Sequence, residues 1–253
     1  MSQWGLILGH PGHELRVLGW LHEQRPATAV LTDGSGAGGE SRIELTTALL
    51  DAAGCRRSSV YGDHSDGDFY RAMLGGDVDF FRCLAGRLAD WLVAEGICLV
   101  ASDAVEGYNP THDLCAAVAS HATRLASKRS LHDITHFTFL LTGAPGTCAP
   151  LGSLVLELSP PALAEKICQT RHYAASAGGA LVDEVETMLQ AFGEASFARE
   201  FLAPANLERD FKQFEATAPF YETHGEKQVA AGLYQHVIRY WTHVAPIISK
   251  LAV

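Results

Sequence analysis

The sequence lacks the long apolar and basic runs of membrane-spanning and nucleic-acid-binding chains. No apolar stretch approaches the roughly 20 residues of a transmembrane helix, and the first residues show no basic segment followed by an apolar stretch. We therefore expect no membrane partner and no signal peptide. Lysine and arginine number 19 against 29 aspartates and glutamates. With no basic run, the charge pattern argues against a nucleic-acid partner.

Cysteine pairing motifs are absent as well. The six cysteines are widely spaced, without a C-x-x-C pair: Cys55, Cys83, Cys98, Cys115, Cys148 and Cys168. This spacing is typical of buried or free thiols in a reducing compartment, so we expect a cytoplasmic protein. The 253 residues, 47% of them hydrophobic and 19% charged, suffice for a full globular core.

Short apolar runs alternate with helical periodicity through the first two thirds of the chain. Strands are predicted at 4–9, 27–34, 97–102, 136–141 and 151–159. Helices are predicted at 14–24, 41–54, 77–96, 110–127 and 161–176. The alternation predicts an α/β fold of Rossmann-like type, with a largely parallel sheet and helices on both faces.

The pattern changes after about residue 176. Residues 176–253 show helical periodicity, many aromatic residues and no clear strand. They are predicted to form a helical C-terminal extension packed on an α/β domain of residues 1–175. The segment 218–242, rich in aromatics and histidine, is expected near the mouth of the active site, contributed by the same chain or by a partner in a homo-oligomer. The alternative is a helix that only packs on the core.

Three histidines stand next to predicted strand ends. His10 and His13 follow the first strand across a Pro-Gly, and His112 opens the helix that comes after strand 97–102. Ligands collect at the carboxyl ends of parallel strands, so these side chains are expected to meet. Three imidazoles and a water make an open tetrahedral site of the catalytic type. The sequence predicts one divalent metal ion, with zinc expected and iron as the alternative.

The motifs around these histidines resemble those of the LmbE/PIG-L family of zinc-dependent N-acetylglucosaminide-type deacetylases. "GHPGHE" resembles the family's His-Pro-Asp-Asp-Glu, and "YNPTHD" resembles its His-Pro-Asp-His. Arg42 and Glu44 resemble an Arg-x-x-Glu between them, one residue closer than usual. The resemblance covers roughly residues 4–175. It implies a hydrolase that removes an N-acyl group from an amino sugar or a related small-molecule substrate.

The resemblance also implies substrate-binding residues. Arg42 and Asp66, in the loop "HSDG", would bind substrate, with His64 at the same mouth. Lys166 matches a lysine in a later helix of the family.

The departures from the family pattern concern the reacting groups. Gly12 stands where the family has its general base, His13 where it has an aspartate ligand, and Asn109 where it has a histidine. The implied ligand set is therefore His10, His13 and His112. Three neutral ligands leave more charge on the metal, which lowers the pKa of bound water toward about 7.

A proton must still reach the leaving amine, and three acids lie near by in sequence. Asp33 is the first choice, because it ends the strand next to the first one. Glu14 is expected to hold a histidine in its tautomer, and Asp113 to face away on its helix. Asn109 and Tyr108 could donate to an oxyanion, or form only a helix-cap loop.

Two other functions fit the same sequence. A three-histidine site without the family's base also suits a non-hydrolytic metalloenzyme. The scaffold could also serve a catalytically silent binding protein, because fold alone does not determine function.

Overall fold

The computed structural model describes residues 3–36, 39–144 and 149–251. Cys148 and residues 37–38 of the glycine-rich loop therefore lie outside the described residues. Seven strands of the described ranges form one sheet: β1 (Trp4–Leu8), β2 (Ala27–Thr32), β3 (Arg56–His64), β4 (Leu99–Asp103), β5 (Thr135–Phe139), β6 (Leu154–Glu157) and β7 (Arg199–Pro204).

The sheet order is β3-β2-β1-β4-β5-β7-β6. The pairs from β3 to β5 are parallel, and β7 is antiparallel to both β5 and β6. The predicted Rossmann-like α/β fold with a largely parallel sheet is confirmed. β1 and β2 are buried along their whole length because helices cover both faces, which explains why they are continuous apolar runs.

The helices occupy both sides of this sheet. They are α1 (Leu18–Gln24), α2 (Ile43–Ala53), α3 (Asp66–Gly75), α4 (Val78–Ala94), α5 (Pro110–Ser130), α6 (Pro160–Ala177), α7 (Gly179–Phe192), α8 (Leu207–Lys212), α9 (Phe220–Ala230) and α10 (Ala245–Leu251). Within the described ranges, none has both the length and the apolar character needed to cross a bilayer.

Two apolar cores lie on opposite faces of the sheet. One includes Phe81 and Leu88 of α4, Val118 of α5 and Ile247 of α10. The other includes Trp20 and Leu21 of α1 and Leu50 of α2. The five described cysteines are free thiols.

Local signals explain how the helices near the site begin and end. Asn109 caps α5, because its Oδ1 accepts the Thr111 backbone N–H at 2.8 Å, and Pro110 follows at the first helical position. Gly54 ends α2 in the left-handed region at φ +73°, at the end of the predicted helix 41–54. The predicted helix at 14–24 begins instead with a 3₁₀ turn, His13–Val17, and continues as α1.

Three elements depart from the sequence expectations. The polar segment "RRSSVYGDH" forms the edge strand β3, and α3 follows where a loop was expected. The expectation of no strand after residue 176 is wrong, because β7 lies within the sheet between β5 and β6. Of the two buried side chains of β7, Glu200 and Leu202, one is a carboxylate, which hides the alternation typical of a strand.

Candidate active site

Three histidine rings meet at the carboxyl ends of β1 and β4. His10 and His13 come from the turn after β1, and His112 from the first turn of α5. The ring centroids are separated by 5.2 Å for His10 and His13, 5.1 Å for His10 and His112, and 4.5 Å for His13 and His112. Three imidazoles on one tetrahedral zinc ion have centroids about 5 Å apart. The structure thus brings together the three histidines singled out in the sequence.

Two of the rings have one nitrogen held by a carboxylate. His10 Nδ1 lies 2.7 Å from Thr32 Oγ1 and 2.9 Å from Asp66 Oδ1. His13 Nδ1 lies 2.8 Å from Asp103 Oδ2. A carboxylate at Nδ1 keeps the proton there and leaves the lone pair on Nε2, the arrangement found in histidines that bind metal ions.

Asp103 was missed in the sequence, although its position was a usable signal. It is the last residue of β4 and is fully buried. Its Oδ2 also accepts the Gly9 backbone N–H at 2.8 Å. An acidic residue directly after the predicted strand 97–102, at the edge where ligands collect, could have been selected on that ground.

The rings of His10 and His112 are buried in the neutral form. Burial lowers the pKa of His10, although Asp66 opposes the effect. Burial also places the pKa of His112 well below its ordinary value, and the neighbouring histidines and Arg42 add to this. Neutral imidazole is the form that binds metal.

Buried ring nitrogens without a hydrogen-bond partner indicate whether a metal ion fits this site. In the described part of the chain, His10 Nε2 and His112 Nδ1 are buried without a hydrogen-bond partner. No group of three or more His, Cys, Asp or Glu side chains there has its donor atoms already gathered around one ion position. The three histidines match a metal ion in residue type and in the spacing of their rings, and two of their nitrogens have no other partner among the described residues.

A cavity of about 690 Å³ opens above the rings. We call His10, His13 and His112, together with Asp66 and Asp103, the histidine floor. We call the apolar side chains on one side of the cavity the α7 wall: Ile167, Leu181, Val185, Met188, Leu189 and Phe197.

Several residues predicted from sequence line this cavity beside the histidines. They are Arg42, Asp66, Tyr108 and Asn109. Arg42 donates its Nε–H to Gly34 O at 2.8 Å. Asp66 Oδ2 accepts the Gly36 backbone N–H at 2.6 Å. Burial alone would raise the pKa of Asp66, but contacts with His10, Thr32 and Gly36 lower it, so the carboxylate is ionised.

Other predicted residues do not reach the cavity lining. The Asp33 carboxylate turns back on its own loop and accepts the Ser35 backbone N–H at 2.9 Å. His64 packs its ring on Phe80, with centroids 4.9 Å apart. Asp113 accepts the backbone N–H groups that precede α5, and burial raises its pKa to about 7.

Glu14 holds a turn rather than a histidine. Its Oε2 accepts the Gly12 backbone N–H at 2.9 Å and its Oε1 accepts the Thr46 hydroxyl at 2.6 Å. Glu14 is fully buried, and burial raises its pKa. Its contacts fix the Pro-Gly turn that separates His10 from His13.

Lys166 is engaged in a buried ion pair. Its Nζ lies 2.6 Å from Glu200 Oε1 and donates to Arg16 O at 2.9 Å. Glu200 also accepts the backbone N–H groups of Gly19 and Trp20 at the start of α1. This pair connects α6, β7 and α1 next to the cavity.

Part of the segment 218–242 lies at the cavity, as predicted. Residues 233–236 and Ile238 line it. The Phe220 ring stacks on Tyr108 with centroids 5.2 Å apart, and the Tyr221 backbone N–H donates to Gly107 O.

Comparison with known proteins gives a likeness in fold. No protein-family model and no curated protein matches the chain. The solved structure of the conserved protein TT1542 from Thermus thermophilus matches with a TM-score of 0.51 and 15% identity, over 81% of this chain and 95% of that one. The zinc-inhibited form of teicoplanin deacetylase Orf2 matches with a TM-score of 0.48 and 12% identity, over 80% and 98%. The likeness to TT1542 supports the Rossmann-like α/β fold.

Proposed function

We propose that the protein is a metal-dependent amidohydrolase that removes an N-acyl group from an amino sugar or a related small metabolite. The observation that carries the proposal is the meeting of three histidine rings at the strand ends, two of them with Nδ1 held by a carboxylate. Three imidazoles with a further position open form the ligand set of catalytic zinc sites.

His10, His13 and His112 are the proposed ligands. The ion, zinc in the first place and iron as the alternative, would polarise the amide carbonyl and lower the pKa of water. Asp66 and Asp103 keep the Nδ1 protons of His10 and His13 in place and so fix the tautomers that ligation requires.

Tyr108 and Asn109, just before α5, are the proposed hydrogen-bond donors to the carbonyl oxygen. Asn109 uses its Oδ1 to accept from Thr111, which leaves its amide NH₂ as a donor at the cavity. Tyr108 contributes a hydroxyl at the same cavity. Donors fixed before the reaction stabilise a developing oxyanion. Arg42 is the proposed partner of a substrate hydroxyl or acid group.

Asp66 replaces Asp33 as the proposed proton carrier. Gly12 has no side chain to act as a base, and Asp33 lies outside the cavity lining. The ionised Asp66 carboxylate lies at the cavity beside His10. Asp66 can take a proton from the attacking water and return it to the leaving nitrogen.

A matched pair of variants tests these roles. We expect protein purified without added metal to contain zinc and to hydrolyse N-acylated glucosamine. Asp66→Asn should lower kcat by about 10²-fold, with metal content retained because Thr32 still contacts His10 Nδ1. Asp33→Asn, which changes the same group outside the cavity, should leave kcat within about twofold, since its carboxylate only caps a loop.

The metal analysis also separates the alternatives. If the purified protein contains iron and hydrolyses no N-acyl amine, the result would favour a non-hydrolytic metalloenzyme. No bound metal and no turnover would favour a binding protein. A larger loss of kcat in Asp33→Asn than in Asp66→Asn would reverse the assignment of the proton carrier.

A further inference from the structure

The α7 wall exposes apolar side chains to the cavity at helical spacing. Leu181, Val185, Met188 and Leu189 recur at intervals of four, three and one residues, so they lie on one face of α7. All four line the cavity above the histidine floor. Leu181, Val185 and Met188 are half-buried: Val185 and Met188 pack partly on the cluster of Ile167, Leu189 and Phe197, and all three keep surface at the cavity.

Neighbouring elements extend this aliphatic surface. Ile167 of α6 and Phe197 of the 3₁₀ turn Glu194–Ala198 pack against Leu189 and also line the cavity. Glu184 is the acidic residue of the same α7 face at the cavity. Burial raises the pKa of the Tyr108 hydroxyl, and the negative charge of Glu184 raises it further. Both residues line the cavity.

Arg16 marks the border between the polar and apolar parts of the cavity. Its guanidinium donates to Leu140 O, Gly143 O and Met188 Sδ, and it lies 5.2 Å from the centroid of the Phe197 ring. These partners are neutral, and they hold the guanidinium against the α7 wall. The cavity therefore has a polar end, at the histidine floor, and an aliphatic side.

We infer that the α7 wall is a subsite for an aliphatic acyl chain, so that the substrate is an amine acylated with a medium-length chain. The inference rests on the proposed function, because the histidine floor would then bind the amide head of the same molecule. A half-buried aliphatic face in a cavity is stabilised when a ligand removes it from water. Flexible Met188 suits an unbranched chain.

The dimensions of the wall set the expected chain length. Leu189 lies eight residues after Leu181, and eight rises of 1.5 Å place the two residues about 12 Å apart along the helix. An extended chain advances roughly 1.2 Å per bond. The wall therefore matches a chain of roughly ten carbons, whereas an acetyl group would leave most of it uncovered.

Hydrolysis of such a substrate consumes one water molecule for each amide bond that is broken. The bond between the carbonyl carbon and the nitrogen breaks, the hydroxyl of water joins the carbonyl carbon, and its proton reaches the leaving nitrogen. The products are a fatty acid and a free amine, and no oxidant or reductant is required.

The test uses fatty acids as probes, since they contain no amide bond and cannot be hydrolysed. Binding of butyrate, hexanoate, octanoate and decanoate to the purified full chain is measured by calorimetry below their micellar concentrations. We expect affinity to rise about two- to fourfold per methylene. Val185→Asp should weaken decanoate binding at least tenfold and leave butyrate binding unchanged.

Two further variants keep the test decisive. Thr187→Asp adds the same charge to the exposed opposite face of α7, and decanoate binding should not change. Val185→Thr keeps the side-chain shape and should weaken decanoate binding severalfold even if Val185→Asp fails to fold. Affinities that do not depend on chain length, or equal effects at positions 185 and 187, would overturn the subsite.

Turnover separates the inference from the proposed function. N-decanoyl-glucosamine should be hydrolysed with a higher kcat/KM than N-acetyl-glucosamine, and Val185→Asp should remove the difference. Chain-length-dependent binding without hydrolysis of either compound would refute the hydrolase and leave the subsite standing. Hydrolysis with no chain-length preference and no effect of Val185→Asp would refute the subsite alone.

Discussion

The histidine floor and the α7 wall are held in place in different ways. The floor residues follow β1, β3 and β4 or end β4, and the carboxylates of Asp66 and Asp103 lie within 2.9 Å of Nδ1 of His10 and His13. The wall is carried by a helix that packs on α6 and on the turn Glu194–Ala198, outside the two main cores of the sheet. Under the proposed function, the sheet would position the reacting groups, and the peripheral helix α7 would contact the acyl chain of the substrate.

Removing one imidazole from the histidine floor is expected to have the largest effect. His13→Ala should lose most bound metal and reduce hydrolysis by roughly 10³-fold, because the ion contributes several kcal/mol to transition-state stabilisation. Metal analysis and turnover at saturating substrate measure both. His64→Ala is the control, since this ring packs on Phe80 outside the cavity lining. Full metal retention in His13→Ala would remove His13 from the ligand set.

Breaking the buried ion pair between Lys166 and Glu200 should have the next largest effect, and this effect is on stability. Glu200→Gln leaves the buried Lys166 ammonium without its counter-charge, which is expected to lower the free energy of unfolding by about 3–5 kcal/mol. Urea unfolding measures the loss. The matched control is Glu186→Gln, which breaks an exposed pair with Arg171 and should change stability very little. Equal effects of the two variants would show that the buried pair is not a main attachment of this region.

Sequence reasoning predicted the floor far better than the wall. The strands that precede His10 and His112 could be located because buried parallel strands are continuous apolar runs. The histidines were then selected because ligands collect where such strands end. Asp103 has the same kind of position, directly after the predicted strand 97–102, and was overlooked there. Asp33 was selected from its strand position, which does not reveal that its carboxylate accepts the Ser35 backbone N–H within its own loop.

The wall depends on long-range contacts that no local pattern encodes. α7 has clear helical periodicity, but the sequence does not show whether its apolar face meets a core or a cavity. β7 was missed because Glu200, buried through its pair with Lys166, interrupts the apolar alternation. The position of residues 233–236 at the cavity was predicted from composition, whereas their contacts required the structure.

Gly12 lies in the turn between His10 and His13, and its substitution gives the smallest expected effect. Its φ of +100° lies in the left-handed region, and a Cβ there would lie 3.1 Å from the Tyr173 ring of α6. Gly12→Asp restores the carboxylate of the family motif but must adopt this backbone beside that ring. We expect Gly12→Asp and Gly12→Ala each to lower the free energy of unfolding by about 1–2 kcal/mol, without a gain in hydrolysis.

The control for this position is Gly39→Ala. Gly39 has a similar φ of +77°, but a Cβ there meets nothing within 4 Å. Its substitution should show the cost of the backbone conformation alone, so the excess at position 12 measures the contact with Tyr173. Urea unfolding of the three variants gives both quantities. A Gly12→Asp variant that is as stable as the parent protein and hydrolyses N-acylated glucosamine faster would contradict this. Position 12 would then differ from the family only by the absence of a catalytic base, and the close approach of α6 would not constrain the histidine floor.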